Sequence, residues 1–395
     1  MIDITDRIFL AHQGGKIHTR PNLPILNHDD LARIYTPGVA QVGTAVHEDP
    51  EQGYALTVKR NMVAVVTDGT AVLGLGNIGP YAAAPVMEGK AVLFKQLAGI
   101  NAFPICLDTT DTEEIIRTVK AIAPIFGGIN LEDISSPRCF EIERRLEEEL
   151  HIPVFHDDQH GTAIVVLAGL INALKVTGKQ MDHVRIVVNG VGAAGVSICK
   201  MLLAAGARHL IPVDQEGALI RGGNYAHPMW QWLAGQSGVE DQPGTLQEVI
   251  AGADVFIGVS RGGILQPQDV QRMAPLPICV AMANPEPGIS PELALPYAGV
   301  YATGRSDYPN QINNVLAFPG IFKGALECRA QRINDQMKLA AAQAIAAVVK
   351  DTELNAAYII PSLFNDQVVI KVRQAVIEAA VSSGIAKIIP PGFEI

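Results

Sequence analysis

One stretch constrains the fold of this chain more than any other, the sequence RIVVNGVGAAGVSICKMLLAAGARHLIPVD at residues 185–214. An apolar strand pattern runs into glycines spaced as GxGxxG, then into an apolar helix and a second strand pattern that ends at Asp214. This order predicts a strand–turn–helix–strand unit of a doubly wound parallel sheet. Further apolar strands are predicted at 253–260 and 278–285, each ending in small polar residues.

The glycines of this unit suit a dinucleotide. Gly190 allows the tight turn, Gly192 lets a pyrophosphate approach the backbone, and Gly195 lets helix and strand pack closely. Asp214 lies 19 residues after Gly195 and would accept the adenosine ribose hydroxyls, which favours NAD over NADP. The alternative is an α/β turn without a ligand. The residues predicted to bind the dinucleotide are Gly190, Gly192, Ala193, Ala194, Gly195 and Asp214.

A second GxGxxG match, GLGNIG at 74–79, has a different context. It follows MVAVVTDGTAVLG, which predicts two short strands around an Asp-Gly turn, and it runs into Pro80 and Pro85. No acidic residue ends a strand about 20 residues later, as the ribose contact requires. We therefore predict a tight loop that lines a pocket, without a long helix opening there.

The whole chain is predicted to be α/β. Helix and strand patterns alternate from about residue 52, and the chain becomes mostly helical after FPG at 318–320. We predict an N-terminal α/β domain for substrate and metal at 1–155, a Rossmann-type NAD(P)-binding domain at 156–330, and a helical C-terminal tail at 331–395.

Acidic residues follow two apolar segments of the first predicted domain. Glu132 and Asp133 follow GGINL, and Asp157 and Asp158 follow PVFH. If the two pairs meet, the carboxylates repel one another and their pKa values rise unless a cation lies among them. Ligands that are all oxygen favour Mg²⁺ or Mn²⁺ over zinc. Solvated turns or helix caps are the alternative for each pair.

Two further residues have an interpretation in acid–base chemistry. Lys90 lies in MEGKAVLFK, on an otherwise apolar helix pattern. Most such lysines reach out to water, but one that is partly buried beside a cation would have its pKa lowered and could act as a base. Tyr35, in RIYTPGVA, is either a proton donor or a packed ring with a solvated hydroxyl.

Charge and composition exclude several classes of protein. The formal net charge is −10, so no basic face for nucleic acid is expected. The five cysteines form no CxxC pair, which indicates a reducing compartment. The N-terminus lacks the features of a signal peptide, and the apolar run GTAIVVLAGLINAL is interpreted as too short to span a bilayer. We expect a soluble cytoplasmic protein with no membrane partner.

Taken in order, eight motifs between about residues 15 and 330 resemble those of the malic enzyme family in its short prokaryotic form. They are YTPGVA, TDGTAVLGLGNIGP, MEGKAVLFK, GGINLEDI, PVFHDDQHGTA, VVNGVGAAG, MANP and PNQINNVLAFPG. The resemblance implies that Lys90 is the general base and Tyr35 the general acid. It also implies metal ligands at Glu132, Asp133 and Asp158 with Asp157 beside them, and amides that hold substrate and the nicotinamide end at Asn284 and Asn314.

The family's reaction would be metal-dependent oxidative decarboxylation of L-malate to pyruvate and CO₂, with reduction of NAD or NADP. Decarboxylation of oxaloacetate would accompany it. The resemblance also implies a homodimer or homotetramer, with Tyr35 as the candidate residue for the site of a neighbouring chain. It does not decide whether the cofactor is NAD or NADP, whether the metal is Mg²⁺ or Mn²⁺, or whether the protein is a dimer or a tetramer. It also does not say whether an effector binds.

Two departures from the family pattern support an alternative. Thr70 and Ala71 stand where larger members carry a substrate-gripping arginine, and the segment 216–238 does not follow the usual course after Asp214. The alternative function is a soluble oxaloacetate decarboxylase that resembles malic enzymes but turns over no nicotinamide. Another dehydrogenase with a catalytic lysine, or a nucleotide sensor without activity, would leave the acidic motifs without a purpose.

Overall fold

The computed structural model describes residues 6–393, which contain two parallel sheets. The first sheet has four strands and the second has five. The first comprises β1 (Met62–Thr67), β2 (Asn101–Cys106), β3 (Gly128–Leu131) and β4 (Val154–His156). The second comprises β5 (Arg185–Asn189), β6 (His209–Val213), β7 (Val255–Gly258), β8 (Ile278–Ala281) and β9 (Val300–Thr303).

Helices connect and cover the strands of both sheets. Those of the first half are α1 (Arg7–Leu10), α2 (His28–Ile34), α3 (Gly38–Glu48), α4 (Gly53–Leu56), α5 (Gly79–Ala98), α6 (Thr112–Ile122), α7 (Arg138–Glu149) and α8 (Asp157–Thr177). Those of the second half are α9 (Ala193–Ala204), α10 (Pro228–Ala234), α11 (Leu246–Val249), α12 (Pro267–Gln271), α13 (Pro291–Ala294), α14 (Phe318–Glu327), α15 (Asp335–Ala346) and α16 (Gln367–Ser382).

The first sheet has the strand order β2-β1-β3-β4, with all strands parallel. The order reverses between β1 and β3, so a crevice opens at the carboxyl ends of these strands. Leu131 at the end of β3 pairs with His156 at the end of β4. The residues that follow these two strands therefore emerge side by side at the same edge.

The second sheet has the order β6-β5-β7-β8-β9 and is also entirely parallel. Its reversal lies between β5 and β7, where the glycine turn 190–192 leaves the sheet. The α/β fold class and the doubly wound second sheet are confirmed. The sequence of strand, glycine turn and helix therefore places a ligand crevice where it was expected.

The segment 62–79 differs from its prediction. It contains one strand, β1, and the expected second strand is reduced to a single bridge between Val72 and Gly76. The long helix α5 does begin at Gly79, the last glycine of GLGNIG. Pro80 lies in its first turn, where the missing N–H would have had no partner in any case, so the proline favours the helix start. The expectation that no long helix opens there was wrong.

Helix α8 joins the two sheets, and 14 of its 21 residues are buried. It is long and apolar enough to cross a membrane by length and composition, so the interpretation that this run is too short was wrong. However, 67% of its apolar window is buried inside the protein. Buried helices at the core of soluble proteins pass the same test.

The C-terminal helices fold back onto this centre. Side chains of α8, α14, α15 and α16 share one buried apolar cluster with α5. Two smaller clusters cover the outer faces, one between the first sheet and α6 and α7, the other between the second sheet and α11 to α13. The carboxyl edges of the two sheets, where the polar residues lie, are thus held by a common core.

Candidate active site

Three carboxylates meet at the reversal point of the first sheet. Glu132 and Asp133 follow β3, and Asp158 lies in the first turn of α8. One oxygen of each lies within 4.8 Å of the others. Oxygens bound to one Mg²⁺ at about 2.1 Å are at most about 4.2 Å apart, so this carboxylate cage fits such an ion after a small contraction. These residues could hold Mg²⁺ or Mn²⁺.

The second aspartate pair was expected at the end of a strand. Strand β4 ends at His156, one residue before the pair, and Asp157 and Asp158 occupy the first turn of α8. Negative side chains are favoured there because the helix N-terminus carries partial positive charge. Helix start and strand end together aim both carboxylates at the same edge.

Backbone geometry fixes the Asp133 end of the cage. Asp133 adopts a left-handed φ of 55°, which non-glycine residues rarely take up. Its N–H donates to Asp158 Oδ2 at 2.7 Å, and its carbonyl accepts from the Ala71 N–H at 2.9 Å. These two bonds hold the strained residue between the start of α8 and the turn after β1.

Lys90 of α5 lies against the cage and is 8% exposed. Its Nζ lies 2.5 Å from Asp157 Oδ2 and 3.0 Å from Glu132 Oε1. The same ammonium lies 4.2 Å from the centre of the Phe318 ring, a cation–π distance. One buried cation is therefore shared between two carboxylates and one aromatic face.

Burial and mutual repulsion weaken the acidity of all these carboxyl groups. Burial raises the pKa of Glu132 to about 7 and that of Asp157 to about 7, although Lys90 opposes both shifts. Burial, together with Asp158 and Glu132, raises the pKa of Asp133 to about 9. Burial and the neighbouring Asp157 raise the pKa of Asp158 to about 6. The predicted rise in carboxyl pKa values is thus present.

The carboxylates beside Lys90 act on its pKa in the direction opposite to the cation on which the prediction depended. Burial lowers it, but Asp157 and Glu132 together outweigh burial and raise the pKa above its ordinary value. The prediction took the cation as the dominant neighbour. With the carboxylates facing Lys90 directly, the ammonium form is favoured.

Asp157 is fully buried and depends on a glycine one helical turn later. Asn314 donates to Asp157 Oδ2 at 2.5 Å. Asp157 Oδ1 is buried without a hydrogen-bond partner in the described part of the chain. A Cβ on Gly161 would come within 1.9 Å of that oxygen, so only glycine leaves room for the carboxylate. This explains the Gly that follows the HDDQH sequence.

Glu143 of α7 forms hydrogen bonds to the end of β4 and to the first turn of α8. Its carboxylate accepts from the His156 N–H at 2.8 Å and bonds His160 Nε2 at 3.0 Å. Burial alone would raise the pKa of Glu143, but His160 and Lys338 outweigh it and lower the pKa to about 2. The charged carboxylate thus ties α7 to both sides of the Asp157–Asp158 pair.

A second cavity, of about 790 Å³, lies at the reversal point of the second sheet. Its lining includes Gly190, Gly192 and Asp214. A Cβ on Gly195 would come within 1.7 Å of the Gly190 carbonyl oxygen, as close packing of helix and strand requires. Asp214 Oδ1 accepts from the Glu216 and Gly217 N–H groups, which directs the side chain at the turn beside the cavity. This geometry can hold a dinucleotide, with Ala193 and Ala194 opening α9.

Two of the predicted site residues make no hydrogen bond to the carboxylate cage within residues 6–393. Tyr35 ends α2 and is 66% exposed, and no hydrogen bond joins it to Lys90 within residues 6–393. Asn284 follows β8 and donates to the Met282 carbonyl at 3.3 Å. A Cβ on Gly74 would lie 4.0 Å from Pro285 N, so the GLGNIG loop borders Asn284 rather than the dinucleotide cavity.

Several contributors were missed by the sequence analysis. Asn130 donates to Glu132 at 2.8 Å, and Arg138 donates to Asp68 at 2.7 Å and Thr70 at 2.8 Å. The guanidinium of Arg138, on α7, thus lies at the TDG turn. The turn itself is followed by Thr70 and Ala71, at the place where an arginine was expected in larger members of the family. Asn130 and Phe318 had a signal, since they lie within the GGINLEDI and NNVLAFPG motifs, whereas Arg138 lies in neither.

Comparison with known families identifies both halves of the chain. The family model described as malic enzyme, N-terminal domain, matches residues 14–116 and 109–147. The one described as malic enzyme, NAD binding domain, matches residues 159–291 and 294–381.

Whole-length relatives agree with these matches. The NAD-dependent malic enzyme of Geobacillus stearothermophilus is 65% identical over 98% of this chain and 81% of its own length. The bifunctional malic/malolactic enzyme of Bacillus subtilis is 54% identical over 95% of this chain and 92% of its own. The crystal structure of the NAD-dependent malic enzyme from Thermotoga maritima has a TM-score of 0.91 and 49% identity, covering 94% of this chain and 99% of that one.

Proposed function

This chain belongs to the malic enzyme family, and from that premise we propose that it oxidatively decarboxylates L-malate to pyruvate and CO₂ with a divalent metal ion and NAD. The observation that carries the proposal is the contact of Lys90 with the carboxylate cage, in a chain that also contains a dinucleotide cavity. The family and the malate-oxidising activity rest on relatives that match nearly the whole chain. The metal and the individual residue roles are the proposed part.

The metal site would consist of Glu132, Asp133 and Asp158. Three converging carboxylates with raised pKa values are a donor set that a hard divalent cation neutralises. When bound, the ion supplies a Lewis acid for the substrate oxygens and the nicotinamide supplies a hydride acceptor.

Lys90 would move the substrate proton. Its Nζ is the one buried cationic donor at the cage among the described residues, so it lies where a substrate hydroxyl would be placed. Asp157, which bonds both Lys90 and Asn314, would hold the ammonium in place and accept part of its charge. Asn314 would orient the substrate carboxylate, and Asn284 the nicotinamide end.

Tyr35 would return a proton to C3 on the way to pyruvate, and we propose that it does so in the site of a second copy of the chain. Its exposure and its lack of a bond to Lys90 support this placement. The helices α1 to α3 have no buried residue, and they present Ile8, Leu31, Ile34 and Val39 to the surface. Leu26, just before α2, is exposed as well. An apolar surface of this kind is characteristic of a subunit interface, so a homodimer is proposed.

Cytoplasmic location is a further proposal. All five cysteines lie in the described part of the chain and all are free. Free buried thiols fit a reducing compartment. Fractionation of cells that express the protein at its native level would test the location, and recovery in a membrane or secreted fraction would contradict it.

The test of the function uses metal-stripped full-length protein. It is incubated with L-malate, NAD and Mn²⁺, and reduced nicotinamide and pyruvate are measured in the same sample. Parallel samples contain NADP, lack metal, or contain oxaloacetate without nucleotide. We expect one reduced nicotinamide per pyruvate, only with metal. Pyruvate from oxaloacetate without malate oxidation would replace the proposal with the decarboxylase alternative, and lactate from malate would indicate the malolactic reaction.

A further inference from the structure

The segment 216–238, which was expected to depart from the family pattern, bridges the two candidate ligand loops. It contains α10, whose N-terminus is capped by His227. Trp230 lies in the first turn of that helix and lines the dinucleotide cavity. The rings of His227 and Trp230 are stacked, with centroids 5.3 Å apart and an interplanar angle of 7°. We call this pair the His–Trp bridge.

One end of the His–Trp bridge contacts the loop of the carboxylate cage. His227 Nδ1 accepts from the Met229 N–H at 3.2 Å, so the neutral ring carries its proton on Nε2. That nitrogen lies 3.0 Å from Ser136 Oγ and donates to it. Ser136 is three residues after Asp133 in the same loop. The edge of Phe140 packs against the His227 ring at 5.6 Å and holds it in this position.

The other end fixes the glycine turn. Trp230 Nε1 donates to the Val191 carbonyl at 2.6 Å. Because a trans peptide is planar, holding that carbonyl toward Trp230 turns the N–H of the next residue, Gly192, the opposite way. Gly192 lines the dinucleotide cavity and caps α9, where a pyrophosphate is bound through backbone N–H groups.

We propose that His227 and Trp230 are positioning residues that couple the two sites, so that a divalent ion in the carboxylate cage tightens NAD binding and NAD tightens ion binding. Both connected loops have left-handed residues, Asp133 with φ 55° and Gly190 with φ 98°, and each must be held in one conformation. A ligand that orders one loop lowers the cost of ordering the other through the bridge. The inference rests on the proposed metal and NAD sites, and coupling of this kind is reciprocal.

The experiment measures binding, without turnover. The dissociation constant of NAD is determined by calorimetry with and without Mg²⁺, for the wild-type protein and for H227N. Asparagine keeps a cap acceptor near the position of Nδ1 but cannot reach Ser136. We expect Mg²⁺ to tighten NAD binding at least about fivefold in the wild type and less than about twofold in H227N. H227Q, whose amide can reach the position of Nε2, should restore the effect.

A fluorescence measurement keeps the test valid if H227N does not fold. The chain has two tryptophans, so W232F leaves Trp230 as the sole emitter. Its emission should change when Mg²⁺ alone is added. The matched control W230F retains only Trp232, which is 41% exposed and stacks with Lys200, and its emission should not change.

The outcomes separate this inference from the function itself. The proposed coupling would be overturned if Mg²⁺ did not change the NAD affinity of the wild-type protein, or if H227N showed full coupling. It would also be overturned if Mg²⁺ did not change the emission of Trp230. If malate is oxidised while coupling is absent, the bridge alone fails. If coupling is present but malate is not oxidised, the bridge stands and the proposed reaction fails.

Discussion

Asp157 and Asp158 are neighbours in sequence, but their surroundings differ. Asp157 is fully buried and bonds Lys90 and Asn314. Asp158 accepts from the Asp133 N–H and shares the carboxylate cage. Adjacent residues at the start of a helix point in directions about 100° apart, so one can serve the proton-transfer lysine and the other the metal.

Matched substitutions of this pair should separate proton transfer from metal binding. D157N should lower kcat by at least about 100-fold, because Lys90 loses the carboxylate that holds its Nζ in place, while Mn²⁺ affinity changes only a few-fold. D158N should abolish Mn²⁺ binding, because it removes one carboxylate of the cage. Calorimetric Mn²⁺ titration and steady-state kinetics on both variants check this. Equal loss of Mn²⁺ affinity in the two variants would contradict the division of roles.

Glu147 gives a pH-dependent prediction remote from the cage. Burial, with Glu143 nearby, raises its pKa to about 7. A raised carboxyl pKa means that the folded state holds the proton more tightly than the unfolded state, so stability is lost as pH rises from about 4.5 to about 7. E147Q lacks this loss and should raise the free energy of unfolding by about 2 kcal/mol at pH 8, after allowance for partial solvent screening, and by nothing at pH 4.5.

The control for that substitution is the next residue along α7. E148Q removes an exposed carboxylate that pairs with Arg144 at the surface. It should change stability little at either pH, since exposed pairs contribute about 0–1 kcal/mol. The free energy of unfolding of both variants is measured by urea unfolding at the two pH values. An effect of E147Q that did not depend on pH would refute the raised pKa of Glu147 as its cause.

At the scale of elements, each site depends on a helix start at the end of a parallel strand. Helix α8 begins directly after β4, and α9 begins four residues after β5. Both starts bring backbone N–H groups and acidic or glycine residues to the carboxyl edge of a parallel sheet. Glycines decide how closely these helices approach the rest of the site.

G161A tests the approach of α8 to Asp157. The added methyl would overlap Asp157 Oδ1, so the carboxylate must leave Lys90, and kcat should fall at least about 100-fold. G89A is a matched change within α5, where the nearest atom to a new Cβ is the mobile Lys16 Nζ at 3.5 Å. It should leave kcat unchanged and raise stability by up to about 1 kcal/mol. Wild-type kcat in G161A would show that the close packing has no role.

G192A tests the glycine turn as a nucleotide contact. No atom of residues 6–393 lies within 4 Å of a Cβ at this position, so the melting temperature should not change. The methyl would meet a pyrophosphate seated on the turn, and the KM for NAD should rise at least about tenfold while the affinity for Mn²⁺ is unchanged. An unchanged KM would place the dinucleotide elsewhere.

Much of this arrangement could be predicted because parallel strands bring their carboxyl ends to one edge. The glycine turn with Asp214, and the acidic pairs after GGINL and PVFH, could be assigned from that rule alone. Contacts between distant segments could not. Arg138 reaches Thr70 across 68 residues and Asn314 reaches Asp157 across 157, which no local pattern encodes. The start of α5 was missed because the proline was interpreted as a helix breaker.

At the scale of the whole molecule, one described chain brings Lys90, the cage and the dinucleotide crevice together but leaves Tyr35 exposed. The helices around Tyr35 bury none of their own residues. A second copy covering this surface would remove apolar side chains from water and deliver the tyrosine. The complete site is then a property of the dimer.

Mixing two inactive variants tests this sharing. K90A lacks the proton-transfer lysine and Y35F lacks the donor, so each homodimer should be nearly inactive. In an equal mixture about half the dimers are mixed and each has one intact site, which predicts recovery of about a quarter of wild-type activity. Activity after unfolding and refolding the mixture, with dimer formation checked by sedimentation, is the readout. No recovery in a mixture that forms dimers would place Tyr35 in the site of its own chain.

The central claim is that Glu132, Asp133 and Asp158 hold one divalent ion beside Lys90. The most direct measurement is anomalous diffraction at the manganese edge from crystals soaked in Mn²⁺. We predict a single strong peak about 2.1–2.2 Å from one oxygen of each carboxylate, absent from crystals of D158N. A protein that oxidises malate with Mn²⁺ but shows no peak at these carboxylates would contradict the claim.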